Sequence, residues 1–169
     1  HHAHDAGETL LDGQAVQECL QAGGMQGPGL ALVEGAIKVF GLTDLGAVRL
    51  ENTIPPLIEI FADPLIEKVF FNLIDNAVRY GKKTTTIRFR FEESEEGSTL
   101  ICEDDGIGIA PDEKEKIFKK GFGKHTGLGL FLAREILAIT GIMIRESGTP
   151  GKGAKFEIVV PKGQFRAAR

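Results

Sequence analysis

The stretch Asp63-Pro64-Leu65-Ile66-Glu67-Lys68-Val69-Phe70-Phe71-Asn72-Leu73-Ile74-Asp75-Asn76-Ala77-Val78-Arg79-Tyr80-Gly81 decides the fold. A carboxylate followed by proline is a helix start, and glycine after Tyr80 is a helix stop. Within it Ile66, Phe70, Leu73, Ile74 and Ala77 share one broad side, so this helix buries a face. Asn72, Asn76 and Arg79 lie at i, i+4 and i+7 on another side. An Asn carbonyl can ligate Mg²⁺ and a guanidinium can take phosphate oxygens, although a plain solvated face has the same composition.

Outward from this helix the pattern is that of a sheet with helices laid on it. Leu30, Val33, Ile37 and Phe40 predict an amphipathic helix ending near Gly41. Ala47 to Glu51 and Leu57 to Phe61 read as strands, separated by the turn that Pro55-Pro56 forces. Downstream, Thr84 to Phe91 and Ser98 to Glu103 alternate as a hairpin around the acidic turn Glu92 to Gly97. A short helix is expected over Asp112 to Phe118 and a longer one from Leu128 to Gly141. Strands at Ile142 to Glu146 and Ala154 to Val160 follow, joined by a Gly148 to Gly153 turn. The order predicts an α+β, two-layer α/β sandwich, with a mixed, mostly antiparallel sheet covered on one face by helices.

Composition narrows the function. The 169 residues have a net charge of -4 and a pI near 5.6, which disfavours a nucleic-acid partner or an electrostatic hold on a membrane. No apolar run approaches the roughly 18 residues of a spanning helix, so no direct membrane contact is expected. Cys19 and Cys102 are isolated, which fits a reducing, cytoplasmic setting and no structural zinc. Residues 1–29 read as a tag remnant, His1-His2-Ala3-His4, and a glycine-rich arm with a short helix possible between Asp12 and Gln21. Residues 30–162 form the domain, and 163–169 a C-terminal tail. Glycine, at 22 residues, is nearly twice its usual share of about 7%.

Two glycine-bearing stretches carry the remaining chemistry. Asp104-Asp105-Gly106-Ile107-Gly108-Ile109 leaves a strand: a carboxylate there can accept from an exocyclic amine, and Gly106 and Gly108 would let a flat ring reach the backbone. Gly127-Leu128-Gly129-Leu130 opens a helix, whose free N–H groups form an anion site reinforced by Lys124, His125 and Thr126. Neither a GxxxxGK[ST] loop nor GxGxxG is present, so another nucleotide fold is required.

In this order the motifs resemble the catalytic and ATP-binding domain of sensor histidine kinases, within the superfamily that also holds DNA gyrase, mismatch-repair ATPases and the large heat-shock chaperones (the Bergerat fold). Asn72 to Tyr80 is similar to the N box and Asp104 to Ile109 to the first glycine box. Ile117-Phe118 with Phe122 is similar to the F box, Thr126 to Leu130 to the second glycine box, and Gly151 to Phe156 to the last glycine motif. The resemblance implies ATP and Mg²⁺ as ligands, with Asn76 holding the metal and Asn72 and Arg79 facing the phosphates as catalytic residues. It further implies Tyr80 and Phe118 at the pocket, Asp104 on the adenine amine, and Gly106, Gly108 and Ile109 around the base. Lys124, His125, Thr126, Gly127, Leu128, Gly129 and Leu130 would cradle phosphate.

Four residues before Asn76, ATP-hydrolysing relatives carry glutamate to activate water. Asn72 cannot take a proton at neutral pH, which favours phosphoryl transfer to an external nucleophile. The partners implied are a histidine-bearing dimerisation domain, absent from these 169 residues, and a response regulator. A parent anchored in a membrane is compatible with this reading. An anti-sigma-factor-like serine kinase and a non-catalytic ATP-sensing module are the alternatives.

Overall fold

The computed structural model describes residues 27–33, 37, 45–95, 97–122 and 129–167. Strands β1 (Gly29–Leu32), β2 (Arg49–Asn52) and β3 (Ile58–Ala62) precede helix α1 (Ile66–Tyr80). The hairpin β4 (Thr86–Ser94) and β5 (Gly97–Asp104) leads to two 3₁₀ turns, Pro111–Glu113 and Lys116–Phe118. Helix α2 (Gly129–Ala138) and strands β6 (Met143–Glu146), β7 (Lys155–Pro161) and β8 (Phe165–Ala167) complete the order.

Two sheets form rather than one. Strands β2-β4-β5-β7-β6 make a five-stranded sheet, parallel only where β2 meets β4, and β1-β3-β8 make a smaller antiparallel one. Strand alternation sorts the large sheet into two faces. Ile87 and Phe89, Leu100 and Cys102, and Phe156, Ile158 and Val160 turn inward to the helices, with the Phe70 ring of α1 edge-on to Phe89 at 6.0 Å. The opposite face carries cross-strand ion pairs, Arg88–Glu51 at 2.9 Å, Arg90–Glu103 at 3.0 Å and Arg145–Glu157 at 2.5 Å. This is the expected α+β sandwich, with helices on one face and charge on the other.

Several expected boundaries change. Leu30 is not helical: it sits in β1 opposite Phe61, and the 29/30 boundary of the arm falls inside that strand. Leu30 and Leu32 alternate with Ala31, a period of two that the three- and four-residue spacings to Val33 and Ile37 obscure. Val33 and Ile37 are helical and buried; Phe40 and Gly41 lie outside the described residues. The supposed tail also contains structure, because Phe165–Ala167 pairs with β3 and the Phe165 ring lies 5.8 Å from Phe91. The hairpin pairing continues to Ser94 opposite Gly97, so the turn is tighter than 92–97. The 112–118 helix divides into two 3₁₀ turns.

Helix ends follow local chemistry. Asp63 Oδ1 accepts from the Leu65 N–H at 2.9 Å and its carbonyl from Ile66, so the helix proper begins at Ile66. Helix α2 closes in a Schellman motif: Ile142 N–H donates to Leu137 O, Gly141 N–H to Ala138 O, and Gly141 has φ 74°. Among the described residues no helix is long and apolar enough to cross a membrane.

Candidate functional site

Three segments converge where β5 ends: the C-terminus of α1, the loop after Asp104, and the Gly148–Gly153 turn. Ile107 N–H donates to Gly81 O at 3.0 Å, Gly151 N–H to Ile107 O at 2.7 Å, and Lys83 Nζ to Gly151 O at 3.0 Å. Glycines permit the contact. A Cβ on Gly106 would lie 2.7 Å from Gly81, one on Gly108 (φ 76°) 2.9 Å from Gly153 O, and one on Gly153 (φ 131°) 1.8 Å from Asp104 O. The backbone they make room for is the protein's own, a different role from the ring access the sequence suggested. Gly81, read only as a helix stop, belongs to the same packing, because a Cβ there would strike the Thr84 hydroxyl, which donates to Ala77 O at 3.0 Å.

Asp104 stands at this junction. Its Oδ1 accepts from Gly106 N–H at 2.8 Å and Ala154 N–H at 3.2 Å, so both backbone bonds fall on one of its two oxygens. Burial pushes its carboxyl above the usual range against the pull of those two N–H groups, and the charges of Asp105 and Glu146 push the same way as burial. Asp105, its neighbour, is committed elsewhere. The Thr85 hydroxyl and the N–H groups of Thr85 (2.7 Å) and Thr86 (3.1 Å) hold its carboxyl down to about 2 and fasten the loop to the start of β4.

On α1 the polar stripe divides. Asn72 is buried, and its side-chain N–H donates to Gly129 O at 2.9 Å, bolting α1 to the first residue of α2. Asn76 is half-buried, and Arg79 pairs with Asp75 at 2.9 Å. Tyr80 is the half-buried last residue of α1, next to Gly81. Phe118 is core: its ring is edge-on to Phe156 at 6.2 Å, with the Arg134 guanidinium 5.7 Å above it. Ile109 and Leu130 pack partly buried against the same core. Lys124, His125, Thr126, Gly127 and Leu128 lie outside the described residues.

The sequence reading missed a buried ion pair. Glu146 is buried, with one carboxylate oxygen on Lys114 and the other accepting from the N–H groups of Gly148 and Lys155, each at 2.9 Å. Lys114 also donates to Gly148 O at 2.8 Å. The signal was available: Ile142, Ile144 and Glu146 alternate, which puts a carboxylate on the inward face of a strand.

Residues 62–164 match the family described as histidine kinase-, DNA gyrase B-, and HSP90-like ATPases. The chain belongs to this family. The ATPase domain is 37% identical over 106 residues to the sensor protein SrrB of Staphylococcus aureus, a match covering 57% of this chain and 18% of that protein. Its fold is similar to the catalytic domain of histidine kinase ThkA (25% identity, TM-score 0.66, 80% of this chain and 98% of that one). The Acinetobacter baumannii histidine kinase AdeS is similar too (26%, TM-score 0.66, 88% and 76%). The chain thus carries an ATP-binding domain of the histidine-kinase kind.

Proposed function

We propose that this ATPase domain is the catalytic and ATP-binding part of a sensor histidine kinase, presenting the γ-phosphoryl group of MgATP to a histidine on a separate dimerisation domain. The observation that carries the reading is Asp104: a half-buried carboxylate, fixed through Oδ1 by two backbone N–H groups, with Oδ2 left to accept from an exocyclic amine. Adenine offers that amine. Guanine would present an acceptor there, leaving two acceptors facing each other without a proton.

Mg²⁺ fits a site of this composition only as a companion of the nucleotide. Among the described residues no group of three or more His, Cys, Asp or Glu side chains could hold a metal. Phosphate oxygens and water would therefore supply most ligands, with the Asn76 carbonyl adding one. Arg79, Tyr80, Gly129 and Leu130, with Lys124 to Leu128, are the remaining binding positions in this reading. Asn72 supports transfer over hydrolysis, because a carboxamide takes no proton at neutral pH and so is no general base for water. The same residue favours a histidine acceptor over the serine of anti-sigma-factor-like kinases, which usually carry glutamate here.

The test mixes the domain with a separately expressed acceptor domain and γ-labelled ATP. Acid-labile, base-stable label on the acceptor is expected. Binding without transfer would favour a non-catalytic ATP sensor, and transfer to serine the rival kinase. A response regulator as the next recipient belongs to the same proposal.

A further inference from the structure

We propose that Glu146 is a positioning residue for nucleotide binding: set beneath the Gly148–Gly153 turn and paired with Lys114, it holds the Ala154 amide on Asp104 and so aims the free carboxylate oxygen at the ligand. The inference rests on the reading of Asp104 as the acceptor for adenine. Glu146 touches no ligand in this arrangement and acts through backbone.

The path is short and each link is a hydrogen bond or a close contact. Glu146 Oε2 accepts from Gly148 N–H, the second residue of the excursion between β6 and β7, and from Lys155 N–H, the first residue of β7. Ser147 N–H donates to Lys155 O at 2.8 Å and closes the neck of that excursion. Ala154, held between Gly153 and Lys155, then exchanges two bonds with Asp104: Asp104 N–H to Ala154 O at 3.0 Å and Ala154 N–H to Asp104 Oδ1 at 3.2 Å. On the other side Lys114 clamps Glu146 and Gly148 O together from the 3₁₀ segment that follows Ile109. Gly148 has no room to relax, because even a Cβ would sit 2.4 Å from Gly153 O and 2.7 Å from Glu146 Oε2.

A carboxylate buried for fold stability alone is a poor choice here, since an apolar residue of similar volume is often as stabilising as a buried ion pair. What the carboxylate adds is two acceptors in fixed positions and a charge close to Asp104. The titratable groups around Asp104 are Asp105 beside it, Glu103 and Cys102 on β5, Glu146 on β6 with its partner Lys114, Lys155 on β7, Lys83 across the Gly151 turn, and Tyr80 on α1. Glu103 faces away toward Arg90, and Lys155 lies toward Glu157. Asp105 and Glu146 are the two carboxylates whose charge acts on Asp104.

The experiment follows the Asp104 carboxyl by NMR across pH and measures ATP binding by calorimetry at pH 7.5, in the wild-type chain, Glu146→Gln and Lys114→Met. Glu146→Gln keeps one carbonyl oxygen for the Gly148 and Lys155 N–H groups but turns an amide NH2 toward the Lys114 ammonium, leaving that cation uncompensated, so Asp104 should titrate lower, with ATP affinity falling about fivefold as the clamp loosens. Lys114→Met leaves the anion unopposed and should move Asp104 the other way, again with weaker binding. Weaker binding in both with Asp104 unmoved would reduce Glu146 to a fold-stabilising residue and overturn the inference. Wild-type affinity in both would overturn it as well. A wild-type chain that binds no ATP would overturn the nucleotide reading itself, an outcome distinct from the other two.

Discussion

Asp104 is asked to be charged in a place that burial makes unfavourable for charge, and the conflict is informative. Asn at this position could still accept the Gly106 and Ala154 N–H groups through its carbonyl, while losing the ionised acceptor for an amine. Asp104→Asn should therefore keep or raise the melting temperature while weakening ATP binding by roughly 10- to 100-fold, the worth of a hydrogen bond to a charged group; a variant that unfolds instead would mark Asp104 as structural. Asp105 obeys the opposite logic. Its carboxyl titrates near 2 in the fold against 3.8 ordinarily, so its stabilisation is fully present above about pH 4 and is lost as the pH falls through 2. Urea melts of Asp105→Asn should show a stability deficit at pH 7 that narrows by pH 2.5, and a constant deficit would refute the assignment. Gly153→Ala should cost more than about 2 kcal/mol, from a left-handed φ and a Cβ driven onto Asp104 O. That Asp104, Gly106 and Gly108 belong to a special site was legible in the sequence. Why the glycines are there was not, because their neighbours come from segments about 25 to 50 residues away, as Gly81 is from Gly106 and Asp104 from Gly153, and a one-dimensional pattern cannot tell protein backbone from a ligand ring.

Helix α1 was legible almost to the residue because its apolar period, its Asp63-Pro64 start and its Gly81 stop all agree. The contact that orients it against α2 was not. Asn72 looked like a member of an open polar stripe, yet the N-terminus of α2 covers it and takes its amide. Asn72→Leu should leave Gly129 O without that donor and cost about 1–3 kcal/mol, seen as a lower urea midpoint; an unchanged midpoint would show that the bolt carries no load. Strands β1 and β8 were missed for a related reason. Each is three or four residues long and, among the described residues, pairs with β3, so tertiary pairing rather than local propensity creates it.

At the scale of the whole molecule, the large sheet buries one face under the helices and leaves the other to charge, and Asp104 with its surrounding loops sits at one end, where β5 exits beside α1. The glycine excess of the sequence follows from this plan in part: Gly81, Gly106, Gly108, Gly148 and Gly153 draw three backbones together around a single carboxylate. The order of the motifs made the family legible before any coordinates; the Lys114–Glu146 pair beneath them was hidden because its partners are 32 residues apart. If Asp104 reads adenine, the chain's preference among nucleotides depends on that carboxylate. Isothermal titration of the chain with ATP and GTP in the presence of Mg²⁺, repeated on Asp104→Asn, measures that dependence. Saturable binding of ATP, at least tenfold weaker binding of GTP, and loss of that preference in the variant are expected. Equal affinity for the two nucleotides, or an Asp104→Asn chain that still prefers ATP as the wild type does, would contradict that reading.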